Sequence, residues 1–111
     1  MTVTQQDLEL FAARIRPHFE SELREIAHEL ALGIAQTVGA KAKLLRPETT
    51  MREIFEWFNA VEPFPSSLDQ VEFVMALEEE FEINIPDEVA AKQEITFRDM
   101  VLLRARKRRA A

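Results

Sequence analysis

The chain has no cysteine, only two glycines and no apolar run approaching the length of a membrane span. Without cysteine there are no disulfides, thiolate metal sites or cysteine nucleophiles, and a cytoplasmic location is the expectation. Phosphate-cradling loops need clustered glycines, whereas Gly33 and Gly39 stand alone in helical surroundings, so nucleotide-dependent chemistry is not expected. Spanning a bilayer takes about 20 apolar residues, and no stable membrane insertion is foreseen. The first residues, Met1-Thr2-Val3-Thr4-Gln5-Gln6-Asp7, lack a basic stretch followed by an apolar one. A signal peptide is therefore not expected.

Positive charge is missing from one long stretch. Between Glu53 and Ala91 there is no Lys or Arg, although the whole chain carries 14 of them. The net charge of −6 thus hides an acidic middle set against basic flanks, with Arg98, Arg104, Arg106, Lys107, Arg108 and Arg109 close together near the end. Such a middle suits a partner with a basic surface, or simply a solvated face. The acidic body argues against nucleic-acid binding by the basic end, which reads as a solvated tail.

What is present is helical periodicity in a chain of 111 residues, the size of one domain. Its apolar fraction of 47% is enough to bury a core. Leu8, Phe11, Ala12 and Ile15 recur at spacings of three and four, which predicts a short helix near 5–15. Pro17 then breaks or kinks the chain, and Phe19, Leu23, Ile26, Ala27, Leu30, Ala31, Ile34 and Val38 predict a long helix near 17–38. A loop is expected from Gly39 to Glu48. Thr50 and Glu53 form a capping-box pattern before a helical face of Met51, Ile54, Phe55, Phe58 and Val61, and Pro63-Phe64-Pro65 makes a stiff turn. The aromatic cluster Phe55, Trp57, Phe58 and Phe64 fits core packing better than a pocket, with Trp57 the member off the stripe.

A third long helix begins at Ser66 or Ser67. Leu68, Val71, Val74, Leu77 and Phe81 lie on its inner face, with Asp69, Glu72, Met75, Glu79 and Glu80 outside. Ile83 and Ile85 are expected to tuck inward from a short extended link, and Asp87-Glu88 to open a single turn. Thr96 with Asp99 caps a last helix carrying Phe97, Val101 and either Met100 or Leu103 inward. The end from Arg104 to Ala111 reads as too basic to bury. His18 and His28 lack a second metal ligand nearby and read as surface residues. No strand pattern or repeat is visible. The fold class is all-α, a small helical bundle with an extended N-terminal helical region. It is read as one domain, divided into 1–45, 46–65, 66–103 and a basic tail 104–111.

Ser67-Leu68-Asp69-Gln70-Val71-Glu72-Phe73-Val74-Met75-Ala76-Leu77-Glu78-Glu79-Glu80-Phe81, followed by Ile83-Asn84-Ile85-Pro86-Asp87-Glu88, resembles the recognition helix and following turn of acyl carrier proteins. The likeness is dense over 66–88 and looser to about 103, where Thr96-Phe97-Arg98-Asp99 falls at the family's last helix. The resemblance implies that the Ser67 hydroxyl receives 4′-phosphopantetheine from coenzyme A through a phosphopantetheinyl transferase. The arm then holds an acyl group as a thioester for enzymes of fatty-acid, lipid or polyketide-type biosynthesis. Leu68, Asp69, Glu72, Met75 and Glu79 take the family's partner-facing positions, which acyl-loading and acyl-transferring enzymes with basic surfaces would meet. The protein itself would not be an enzyme, and is read as a monomer.

Elementary chemistry suits a phosphate at Ser67, because a helix N-terminus offers unpaired N–H groups and partial positive charge. The chain also departs from the family. Ser66 stands where the motif Asp-Ser-Leu has its aspartate, and the glycine usual before the motif is replaced by Phe64-Pro65. Serine caps a helix about as well as aspartate, so Ser66 and Ser67 also fit plain caps. An unmodified interaction module with the carrier fold is the alternative.

Overall fold

The computed structural model describes residues 3–59, 70–86, 88 and 94–110. Among them the chain forms five α-helices and no strand. These are α1 (Gln5–Ala13), α2 (Ser21–Val38), α3 (Met51–Asn59), α4 (Gln70–Phe81) and α5 (Phe97–Ala110), with short 3₁₀ helices at Arg16–His18 and Gly39–Leu44. The all-α expectation holds. Val61, the turn Pro63-Phe64-Pro65, the start of the third long helix at Ser66 or Ser67, Leu68, and the Asp87 turn lie outside the described residues.

Three helices begin with the same device. At α1 the Thr4 hydroxyl accepts from the Asp7 N–H (3.1 Å) and the Asp7 carboxylate accepts from the Thr4 N–H (3.0 Å). Thr50 and Glu53 repeat this at α3, and Thr96 and Asp99 at α5. Each box satisfies two backbone donors that the helix leaves free. The second and third boxes lie back to back. Thr50 and Thr96 form an isolated antiparallel bridge; the Met51 N–H donates to the Ile95 carbonyl (2.8 Å) and the Phe97 N–H to the Thr49 carbonyl (2.7 Å). The starts of α3 and α5 are thereby stitched together, over a buried Thr49 whose hydroxyl accepts from the Arg46 N–H at 2.9 Å.

Helix α2 is the axis of the bundle and packs against α1, α3 and α5. Its buried residues are Leu23, Ile26, Ala27, Leu30, Ala31, Ile34, Ala35 and Val38, a stripe at helical spacing broad enough to be covered from several sides. Ala12 and Ile15 come from the first helical region, Met51 and Ile54 from α3, and Phe97, Met100, Val101 and Ala105 from α5. Phe19 meets Phe97 edge-on, with ring centroids 5.9 Å apart. Phe55, Trp57 and Phe58 are all half-buried against this core, Trp57 packing with the other two although it lies off their stripe.

Four expectations need correction. The long helix starts at Ser21 rather than near residue 17, because Pro17 is taken into the 3₁₀ helix Arg16–His18 and Phe19 is extended. Gly39–Leu44 is a 3₁₀ helix rather than loop; Gly39, at φ +66°, ends α2 in a backbone region that glycine enters without steric cost. The basic end continues α5 to Ala110 instead of trailing free. Two of its charges are answered by the fold: the Arg104 guanidinium pairs with Glu82 (3.0 Å) and that of Arg108 with Glu29 of α2 (2.9 Å), while Ala105 is buried between them. His28, unlike the exposed His18, is half-buried, and its Nδ1 accepts from Arg16 Nε at 2.8 Å.

Candidate functional site: the acidic face of helix α4

Helix α4 is held to the bundle by Val74, Leu77 and Phe81, all buried. Their spacing of three and four leaves the opposite face to solvent. Phe81 packs closely against α2. A Cβ built on Gly33 of α2 would lie 2.9 Å from its ring, so glycine in mid-helix lets α4 approach α2 closely despite its lower helix propensity.

The far end of α4 is locked by its own sequence. Glu82 takes a left-handed conformation at φ 53°, and the Ile83 N–H donates back to the Glu78 carbonyl at 3.1 Å, the pattern of a helix-ending Schellman turn. The Glu78 carboxylate then accepts from the Ile85 N–H at 2.8 Å. Ile83 and Ile85 are buried as expected. Glu78 therefore differs from its exposed neighbours Glu79 and Glu80, since it satisfies the amide of a buried residue. Glu78→Ala is expected to lower stability by about 1–3 kcal/mol, the cost of leaving such a donor without its partner. Urea denaturation measures the loss, and Glu78→Gln, which keeps an acceptor, should lose less.

On the outer face the structure brings together part of the expected set. Met75 is 61% exposed, and Glu79 and Glu80 are exposed beside it. Position 72 lies one turn before Met75 on the same helix, while the Glu72 side chain is outside the described residues. Ser67, Leu68 and Asp69 are also outside them, immediately before the described start of α4 at Gln70. An exposed methionine among glutamates is a surface with an adaptable apolar centre and a charged surround.

Beside this face runs a groove of about 260 Å³ between α2, α3 and α4. Ile34, Val38, Ile54, Phe58, Leu77 and Phe81 contribute its apolar walls, and Glu80 stands at the lining. Sequence periodicity places these residues in the core, but only the crossing of the three helices shows that they leave a gap. Among the described residues no three His, Asp or Glu side chains gather as a metal site, and no described helix is long and apolar enough to cross a membrane.

No family model and no solved structure matches the chain.

Proposed function

We propose that the chain is an acyl carrier protein, with Ser67 as the attachment point of a 4′-phosphopantetheine arm and the outer face of α4 as the surface presented to partner enzymes. The observation that carries this is the order of residues from Ser67 to Glu88, which joins a Ser-Leu-Asp start, an apolar inner stripe, a Glu-Glu-Glu-Phe end and an Ile-Pro-Asp link. Three features of the fold support it: Val74, Leu77 and Phe81 of the inner stripe are buried, Met75 and Glu79 are exposed together, and Ile83 and Ile85 anchor the link.

When attached, the arm supplies a terminal thiol that holds an acyl group as a thioester. The chain's own part is to present and to steer. Leu68 and Met75 offer apolar contact, while Asp69, Glu72 and Glu79 attract a basic enzyme surface. Charge of this kind raises encounter rates and fixes orientation without demanding a long-lived complex. The groove between α2, α3 and α4 is the interior space we assign to an acyl chain. The partners are a phosphopantetheinyl transferase and acyl-loading and acyl-transferring enzymes, working in the cytoplasm on fatty-acid, lipid or polyketide-type products. Ser66 in place of an aspartate favours a selective transferase.

Incubation with coenzyme A and a phosphopantetheinyl transferase should add the mass of one phosphopantetheine. No addition with any of several transferases would leave the unmodified interaction module, which the Ser66 position also favours, as the better account. Reversal of one partner-facing charge, Glu79→Lys, is expected to slow loading by an acyl-transferring enzyme several-fold at low ionic strength. Because exposed charges are screened over about 10 Å at 0.1 M salt, the difference should shrink as salt is raised. Loading rates measured across a salt series check both points.

A further inference from the structure

Away from α4, four cationic side chains and a histidine converge from across the chain. Arg14 caps the end of α1, His18 closes the first 3₁₀ helix, Lys43 lies in the second, Arg46 follows it, and Arg98 is in the first turn of α5. They line one cleft of about 620 Å³, in which Glu48 is the carboxylate. The sequence does not group them; the packing of α1, the two 3₁₀ helices and α5 does.

These cations differ from Arg104 and Arg108 of α5, which are answered by Glu82 and Glu29. Among the described residues the side chains of Arg14, Lys43 and Arg46 have no ion-pair partner. Arg98 is held in place without being neutralised: it donates to the His18 carbonyl at 3.1 Å, and its guanidinium lies 4.8 Å from the Phe19 ring centroid. Gathering like charges around one concavity opposes folding, and a multivalent anion relieves that repulsion. Guanidinium forks and an ammonium match the oxygens of phosphate groups. The cleft has the volume of a small-molecule site, and among the described residues no Phe, Tyr or Trp lines it, so it offers mainly charge and donors.

We propose that this cleft is a binding site for a diphosphate group, either free or carried by a nucleotide or coenzyme, gripped by Arg14, Lys43, Arg46 and the prepositioned Arg98. The site lies on elements other than α4 and does not depend on the carrier reading. Four cations, offset only by Glu48 at the lining, leave an excess of positive charge that calls for more than one phosphate.

The test is an NMR titration of the full chain with sodium pyrophosphate, with ADP and with adenosine at low salt. The expected result is saturable shifts clustered at residues 14–18, 43–48 and 98 with both phosphates and none with adenosine. Equal affinity for the two phosphates assigns recognition to the diphosphate alone, and tighter ADP binding assigns a nucleotide-type ligand. Arg46→Ala and Lys43→Ala, both at exposed positions, should each weaken binding about tenfold, while Arg106→Ala on the exposed side of α5 should leave it unchanged. Absence of saturable binding, shifts spread along Arg104–Arg109, or variants that bind as tightly as the parent would overturn the proposal. So would a concentration-dependent dimer removed by Arg46→Glu without pyrophosphate binding, because the cleft would then receive the acidic surface of a second copy.

Discussion

Ser67→Ala is expected to abolish uptake of phosphopantetheine, from one arm per chain to none, while the helical circular-dichroism signal stays nearly the same. The phosphodiester needs the serine oxygen as its nucleophile, so alanine removes the reaction rather than weakening it. Replacing a capping serine by alanine costs only about 1 kcal/mol, little against a core of two dozen buried apolar residues among those described. Ser66→Ala separates the two hydroxyls and should retain the addition. Ser66→Asp restores the acidic neighbour of the family motif, and is expected to speed modification by a generic transferase. Addition that persists in Ser67→Ala, by intact-mass spectrometry, would remove Ser67 from its assigned role.

The second large effect is on stability. Phe97→Ala is expected to cost about 3–5 kcal/mol, the range for deleting a buried aromatic ring. Phe97 is fully buried, meets Phe19 edge-on, and opens α5 directly after the Thr96 cap. Its N–H bond to the Thr49 carbonyl survives the substitution, so the loss reports packing alone. Against a usual total of about 5–15 kcal/mol, this removes a large share, and the melting temperature should fall by roughly 12 °C or more. Phe97→Leu fills part of the space and should fall less. A loss under about 1 kcal/mol for the alanine variant would show that the junction of Phe19 and Phe97 is not where the bundle is closed.

Much of the fold is legible in the sequence where burial follows a simple period. The stripe of α2 from Leu23 to Val38, the inner face Val74, Leu77 and Phe81, and the paired Ile83 and Ile85 are all buried as their spacing requires. Capping boxes at Thr50 and Thr96 are legible for the same local reason. The box at Thr4 and Asp7 carries the same signal three residues apart, and a reading that starts from apolar spacing passes over it. Tertiary pairing is what escapes. A run such as Arg104–Arg109 looks solvated until Glu29, 79 residues away from Arg108 in sequence, is found beside it. Glu78 looks like one of three surface acids until the Ile85 amide is seen to need it, and His28 until Arg16 is found against it.

The candidate site divides in the same way. The partner-facing positions Met75 and Glu79 follow from helical spacing and are exposed. Ser67 is identified by the residues that follow it, not by any local geometry a period could give. The groove beside α4 and the cationic cleft depend on crossings between helices distant in sequence. Arg14 and Arg98 share a cleft that no window along the chain contains.

Intact mass of the protein purified from its own organism tests the central claim most directly. The carrier assignment predicts a mass above that of the unmodified chain by one phosphopantetheine, with or without an acyl group, and fragmentation that places the addition on Ser67. A homogeneous unmodified mass from cells that contain an active transferase would contradict it.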